Sequence, residues 1–192
     1  MPVAHTTLRL VEPSCEPSCE PSGADPRRPG PLTDAELFQR FSPYVARIGL
    51  RLLGRNEDVD DLVQEVFLAA FKQRDQLRDV GAAKGWLAVV AVRTARRQLR
   101  RRRVRQFVGL DSGAPPLELQ DQTLSPHERA LLARVYEILD HVSVDDRLAW
   151  TLRHVEGEKL DKVAERCGCS LATAKRRIVA AHAQLQAELN HG

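Results

Sequence analysis

Residues 160–178 read Leu-Asp-Lys-Val-Ala-Glu-Arg-Cys-Gly-Cys-Ser-Leu-Ala-Thr-Ala-Lys-Arg-Arg-Ile, and their spacing decides the fold class. Leu160, Val163 and Ala164 line one face of a short helix, Gly168 stands at its end, and Ser170 opens a longer helix that runs through Leu189. Glycine lets the backbone turn through the left-handed region, and a serine hydroxyl caps the free amides of the helix that follows. A helix, a tight turn containing glycine and a second helix make the helix-turn-helix pattern. Thr173, Lys175, Arg176 and Arg177 lie near the start of the second helix, the end that this motif presents to the major groove of DNA. A solvated basic patch on a three-helix scaffold is the plainer reading of the same residues. Cys167 and Cys169 flank the turn, where small thiols serve packing more often than chemistry.

The same helical punctuation extends upstream. Ser143 with Asp146 three residues on predicts a capped helix carrying Leu148, Ala149, Leu152 and Val155, with Gly157 as its left-handed terminus. Ser125-Pro126 with Glu128 predicts another, carrying Leu131, Leu132, Val135, Ile138, Leu139 and Val142. Before it, Gln106 to Glu128 contains no Lys or Arg, while Gly109, Gly113, Pro115 and Pro116 break any periodicity, which reads as an acidic linker.

From Asp34 to Arg105 the pattern is helical again. Thr33 or Asp34 caps a helix whose apolar positions are Leu37, Phe38, Phe41, Tyr44, Val45, Ile48, Leu52 and Leu53, in which Pro43 is expected to introduce a kink before Gly54 ends it. A second helix sets Val59, Leu62, Val63, Val66, Phe67 and Ala70 on one stripe and Glu57, Asp58, Asp60, Asp61 and Glu65 mainly opposite. Carboxylates placed so are not meant for DNA and suit a protein partner. A third stretch, Trp86 to Arg105, starts apolar and ends with eight arginines from Arg93 onward. Spacings of three and four put several guanidinium groups on one face, the arrangement that tracks phosphates without reading sequence. A solvated run or a localisation address is its bland alternative.

Residues 1–32 hold a tandem Glu-Pro-Ser-Cys repeat without apolar periodicity and are expected to be disordered, the repeat being a recognition tag, a redox sensor or drifted low-complexity sequence. Cys15 and Cys19 lack the further ligands that thiolate metal sites recruit, and no metal or other cofactor is expected. Arginine supplies 24 of the 29 basic residues, favouring anionic partners although the net charge is only +3. No apolar run reaches spanning length and no signal peptide is evident, so a reduced cytoplasmic setting without membrane insertion is expected. No Gly-rich phosphate loop, metal-ligand set or nucleophile with a base stands near the carboxylates, which argues against an enzyme.

The order of these features resembles one family. Asp61-Leu62-Val63-Gln64-Glu65-Val66-Phe67, then Gly85-Trp86-Leu87, Val90-Ala91 and the arginine run, is similar to region two of bacterial sigma factors. Arg153-His154-Val155-Glu156-Gly157, Val163-Ala164-Glu165, Gly168, Ser170, Thr173 and Lys175-Arg176-Arg177 resemble region four of the extracytoplasmic-function group. The resemblance covers Asp34 to Arg105 and Leu131 to Leu189. It implies an all-α protein of two small helical domains, region two over 33–105 and region four over 126–190, joined by a flexible linker over 106–125 behind the disordered tail of 1–32.

It further implies a factor that takes core RNA polymerase to promoters in response to a stress or envelope signal, and that an anti-sigma factor holds in check. Asp61, Gln64 and Glu65 would dock on the clamp helices of the largest polymerase subunit. Arg93, Arg96, Arg97, Arg100, Arg101 and Arg103, with the loop Gln76 to Gly85, would hold the melted minus-ten element. Ser170, Thr173, Lys175, Arg176 and Arg177 would read the minus-thirty-five element. The linker would pass through the polymerase near the RNA path.

Departures stand beside the match: Val92-Arg93 replaces a common Arg-Asn pair, Arg97 a common Asp, Val179, Ala180 and His182 a more basic run, and Lys159 a capping Ser or Thr. They motivate one rival, a degenerate sigma acting only as an interaction protein; the other, a stand-alone helix-turn-helix regulator that never touches polymerase, leaves the acidic helix unexplained.

Overall fold

A computed structural model describes residues 33–73, 80–109 and 125–190, and among these every regular element is an α-helix. The expectations for the tail of 1–32 with Cys15 and Cys19, for positions 76–79 of the loop, and for 110–124 of the linker lie outside the described residues.

Helix α1 (Asp34–Leu53) begins at Thr33, whose hydroxyl accepts from the Glu36 amide while the Glu36 carboxylate accepts from the Thr33 amide, a complete capping box. It continues through Pro43 as a single helix and ends at Gly54, where φ is 68°. Helix α2 spans Val59–Lys72 and α3 spans Val80–Phe107. The latter is longer than its apolar pattern predicts at both ends. Val80 to Gly85 are helical rather than loop, because Ala82, Ala83 and Lys84 outweigh the two glycines beside them. Gln106 and Phe107 complete the helix rather than start the linker, because arginine is a good helix former and no breaker precedes Gly109.

Helices α4 (Pro126–His141), α5 (Val144–His154), α6 (Leu160–Cys167) and α7 (Leu171–Asn190) form the second unit. Ser125 makes a capping box with Glu128, and Ser143 accepts from the Asp146 amide, as their spacing predicts. Lys159 occupies the N-cap of α6 without any side-chain bond. Lys159→Ser is therefore expected to raise stability by about 1 kcal/mol in urea denaturation, whereas no gain would mean that the first turn of α6 needs no cap.

The two units are packed on each other. One buried cluster runs from Leu37, Val45, Ile48, Leu62, Val66 and Leu87 of the first unit into Leu148, Leu152, Val163 and Cys167 of the second. Alanines at positions 83, 88, 91 and 95 of α3 are all buried, and their small side chains let the neighbouring helices approach closely. A smaller cluster joins α4 to α7 through Tyr136, Ile138, Leu139, Ala181 and Leu185, with Leu50 of α1 packed against it.

Candidate nucleic-acid interface

The helix-turn-helix is formed by α6 and α7. Gly168 turns with φ at 62°, and the Ser170 hydroxyl accepts from the Thr173 amide at 3.2 Å while lying 2.9 Å from the Thr173 hydroxyl. Ala174 is buried and Ile178 packs on the core, which fixes the rotation of α7 and sends Lys175 and Arg176 to solvent. Arg177 instead turns back toward Asp145, 3.6 Å away. The five residues read from sequence as one set thus divide: Ser170 and Thr173 build the helix start, Lys175 and Arg176 face outward, and Arg177 is held.

The arginines of α3 divide as well, into three directions rather than the single face expected. Arg93, Arg97 and Arg101, four residues apart, line an open groove of about 1060 Å³ between α2, α3 and α6, together with Trp86, Lys72 and Lys162. Arg96, Arg100 and Arg103 point to the second unit. Arg96 pairs with Asp145 at 2.8 Å and donates to the Cys167 carbonyl, Arg100 meets the same Asp145 at 3.1 Å, and Arg103 donates to the carbonyls of His141 and Val142. Arg102 is 3% exposed and belongs to neither group.

Arg102 and Arg147, which is 2% exposed, converge on Asp140 at the C-terminus of α1. Arg147 donates to the carbonyls of Leu52 and Leu53, and Arg102 to that of Leu53 as well as to Asp58 at 3.4 Å. The Tyr136 hydroxyl donates to the Arg51 carbonyl at 2.7 Å. A helix C-terminus leaves carbonyls without partners and carries partial negative charge, so two guanidinium groups satisfy it in both respects. Gly54 makes this closure possible: a Cβ there would stand 2.4 Å from the Tyr136 ring.

Burial pushes the Asp140 carboxyl up, but the charges of Arg147, Arg102 and Arg55 and the Arg147 hydrogen bond outweigh it and hold the group below its ordinary range. A depressed carboxyl contributes stability above its unfolded value, about 3.9, and that contribution disappears as pH falls through the folded value. Acid denaturation below about pH 4 should therefore be less steep in Asp140→Asn than in the parent chain, and parallel curves would contradict the pairing. Burial also pushes Tyr136 up to about 12 and the Cys167 thiol up to about 11. Cys167 is accordingly a packing residue, in keeping with its place in the core.

On α2, Asp61 and Gln64 are exposed, while Glu65 is half-buried and pairs with Arg97. Leu68 lies on the same stripe and is 51% exposed; Phe38, at 43%, stacks edge-on with Phe67 beside it. The acidic face thus has an apolar margin that the charge pattern alone did not reveal. Among the described residues no three His, Cys, Asp or Glu side chains are grouped to hold a metal ion, and no helix is long and apolar enough to cross a membrane.

The chain thus has a three-helix unit with a carboxylate face and an arginine groove, followed by a helix-turn-helix, and residues 37–105 match the Sigma-70 region 2 family. The curated proteins it is similar to over most of its length are extracytoplasmic-function sigma factors. It is 27% identical over 159 residues to the ECF RNA polymerase sigma-E factor of Haemophilus influenzae, covering 78% of this chain and 84% of that protein. It is 28% identical over 151 residues to the ECF RNA polymerase sigma-E factor of Escherichia coli strain K12, covering 74% and 78%. Its fold matches that of the sigma factor RpoE from Bartonella quintana, solved in complex with the anti-sigma factor NepR, with a TM-score of 0.61 at 22% identity over 80% of this chain and 94% of that one.

Proposed function

We propose that the chain works as a two-sided adaptor, carrying core RNA polymerase on α2 and promoter DNA on α3 and α7, with the chemistry left wholly to the polymerase. The observation that carries this reading is the separation of charge: Asp60 and Asp61 are exposed on one helix, while Arg93, Arg97 and Arg101 line a groove on its neighbour. Opposite potentials on two surfaces steer two different partners and exclude exchange between them.

In this account Asp61, Gln64 and Glu65 meet the clamp helices of the largest polymerase subunit, with Leu68 and Phe38 adding desolvated area. The groove beside Trp86 takes the melted minus-ten strand, since single strands are held by cations along the backbone and by aromatic faces under the bases. Arg96, Arg100 and Arg103 join this surface when their carboxylate and carbonyl partners withdraw. Lys175, Arg176 and the amides at the start of α7 contact the minus-thirty-five element, with Arg177 alongside. The setting is the cytoplasm. An anti-sigma factor is a further partner, supported by the likeness to RpoE, which was solved with one.

Arg176→Ala tests the upstream contact. The substitution should cost about 1–3 kcal/mol of promoter affinity and erase upstream protection in footprints while leaving polymerase binding intact. An unaltered footprint would contradict the assignment.

A further inference from the structure

The side of α7 that turns from the core is not uniformly cationic. Ala174, Ala181 and Leu185 are buried and Ile178 packs on the core. The helix period therefore carries Ala172, Lys175, Arg176, Val179 and Ala183 along the opposite side, where all are exposed. Val179 is a β-branched apolar side chain, 60% exposed and outside both core clusters, so it does nothing to hold α7 in the fold. It follows Lys175 by four residues and Arg176 by three, which sets it one turn further along the same strip. Three residues of helix advance about 4.5 Å, between one and two base steps of about 3.4 Å. Ala172 and Ala183, at either side of it, are too small to hold an approaching surface away.

We infer that Val179 is a specificity-determining residue of the helix-turn-helix: while Arg176 takes a guanine through its O6 and N7, Val179 packs on the C5-methyl group of a thymine one or two base steps away. The inference rests on the reading of α7 as the minus-thirty-five contact and adds the chemistry of the sequence it selects. In the major groove thymine alone offers a methyl group, and apolar side chains are the groups that read it. A cation in the same place would take a phosphate or a guanine and would be blind to that methyl. The valine and alanine that stand at 179 and 180 in place of a more basic run therefore change what is read, from phosphate or guanine to thymine.

The test uses the full chain bound to core RNA polymerase and a pool of promoter duplexes randomised over the upstream element, selected by binding and sequenced. The parent should enrich a guanine with a thymine at a fixed position one or two steps from it, on either strand. Arg176→Ala should lose the guanine preference, whereas Val179→Ser should keep it and lose the thymine preference. An enriched duplex is then remade with deoxyuridine for that thymine, which keeps every hydrogen-bonding group and removes only the methyl. The parent should bind this duplex about fourfold more weakly, the effect of one methyl-sized burial, and Val179→Ser should bind both duplexes alike. Should Val179→Ser unfold, the response of the parent to deoxyuridine alone decides. Equal binding of the two duplexes by the parent, or a thymine preference that survives in folded Val179→Ser, would overturn the inference while the guanine preference still upholds α7 as the upstream contact. If the pool yields no enrichment, or one that Arg176→Ala leaves intact, the minus-thirty-five assignment of α7 falls and the role of Val179 with it.

Discussion

Asp61→Arg combined with Gln64→Ala is expected to weaken binding to core RNA polymerase by about 3 kcal/mol, near a hundredfold, without lowering the melting temperature. Both side chains are exposed, and neither supports the α1–α3 core, so the loss would be one of recognition rather than folding. A charge reversal at an interface adds repulsion to the loss of attraction, which is why the effect exceeds that of a rim deletion. Glu65→Arg is a less clean probe, because it also breaks the pair with Arg97. The check is a titration of labelled core enzyme with parent and variant chains; affinities within threefold of each other, about 0.65 kcal/mol, would remove α2 from the docking surface.

The second large effect concerns Arg147. Arg147→Ala should destabilise the chain by about 3–5 kcal/mol, because it leaves a half-buried carboxylate short of its principal partner, strips the Leu52 carbonyl of its guanidinium donors and leaves that of Leu53 to Arg102 alone. The Leu52 carbonyl would be left without a side-chain donor where the second unit packs on the end of α1. Removing a guanidinium group that faces solvent, as in Arg176→Ala, should change stability by less than about 0.5 kcal/mol. Urea denaturation of the two variants side by side makes the comparison. A loss below about 1 kcal/mol for Arg147→Ala would mean that the end of α1 is closed by other means.

Most helices were legible in the sequence because their limits are local. Thr33 with Glu36, Ser125 with Glu128, Ser143 with Asp146, and Ser170 with Thr173 lie within one turn of each other, and the chain needs no distant contact to use them. The start of α3 is not legible because glycines at 81 and 85 imitate a loop, and the helix-favouring Ala82, Ala83 and Lys84, with Ala83, Leu87 and Ala88 packed in the core, outweigh them.

The roles of individual arginines were far less legible. In sequence Arg102 is one of four consecutive arginines, yet it is buried while both neighbours are exposed. A signal was present: Ala88, Ala91, Ala95, Leu99 and Arg102 continue one three-and-four stripe, so the inward face of α3 runs directly into that arginine. Arg147 likewise falls on the buried side of α5 with Leu148 and Thr151. What the stripe could not supply is the partner. Whether an inward guanidinium group finds Asp140 and the carbonyls of Leu52 and Leu53, or nothing, depends on which helix end lies across from it, and that contact spans about ninety residues of chain. The exposed Leu68 escaped notice for the opposite reason, since an apolar residue on an acidic face carries no charge signal of its own.

In vitro transcription with core RNA polymerase across a genomic promoter library, at salt high enough to suppress arginine-driven background, measures partner, activity and sequence preference at once. The account predicts transcripts from a small set of defined start sites that appear only when the chain is added. Failure to bind core enzyme, together with no start site dependent on the chain, would contradict it.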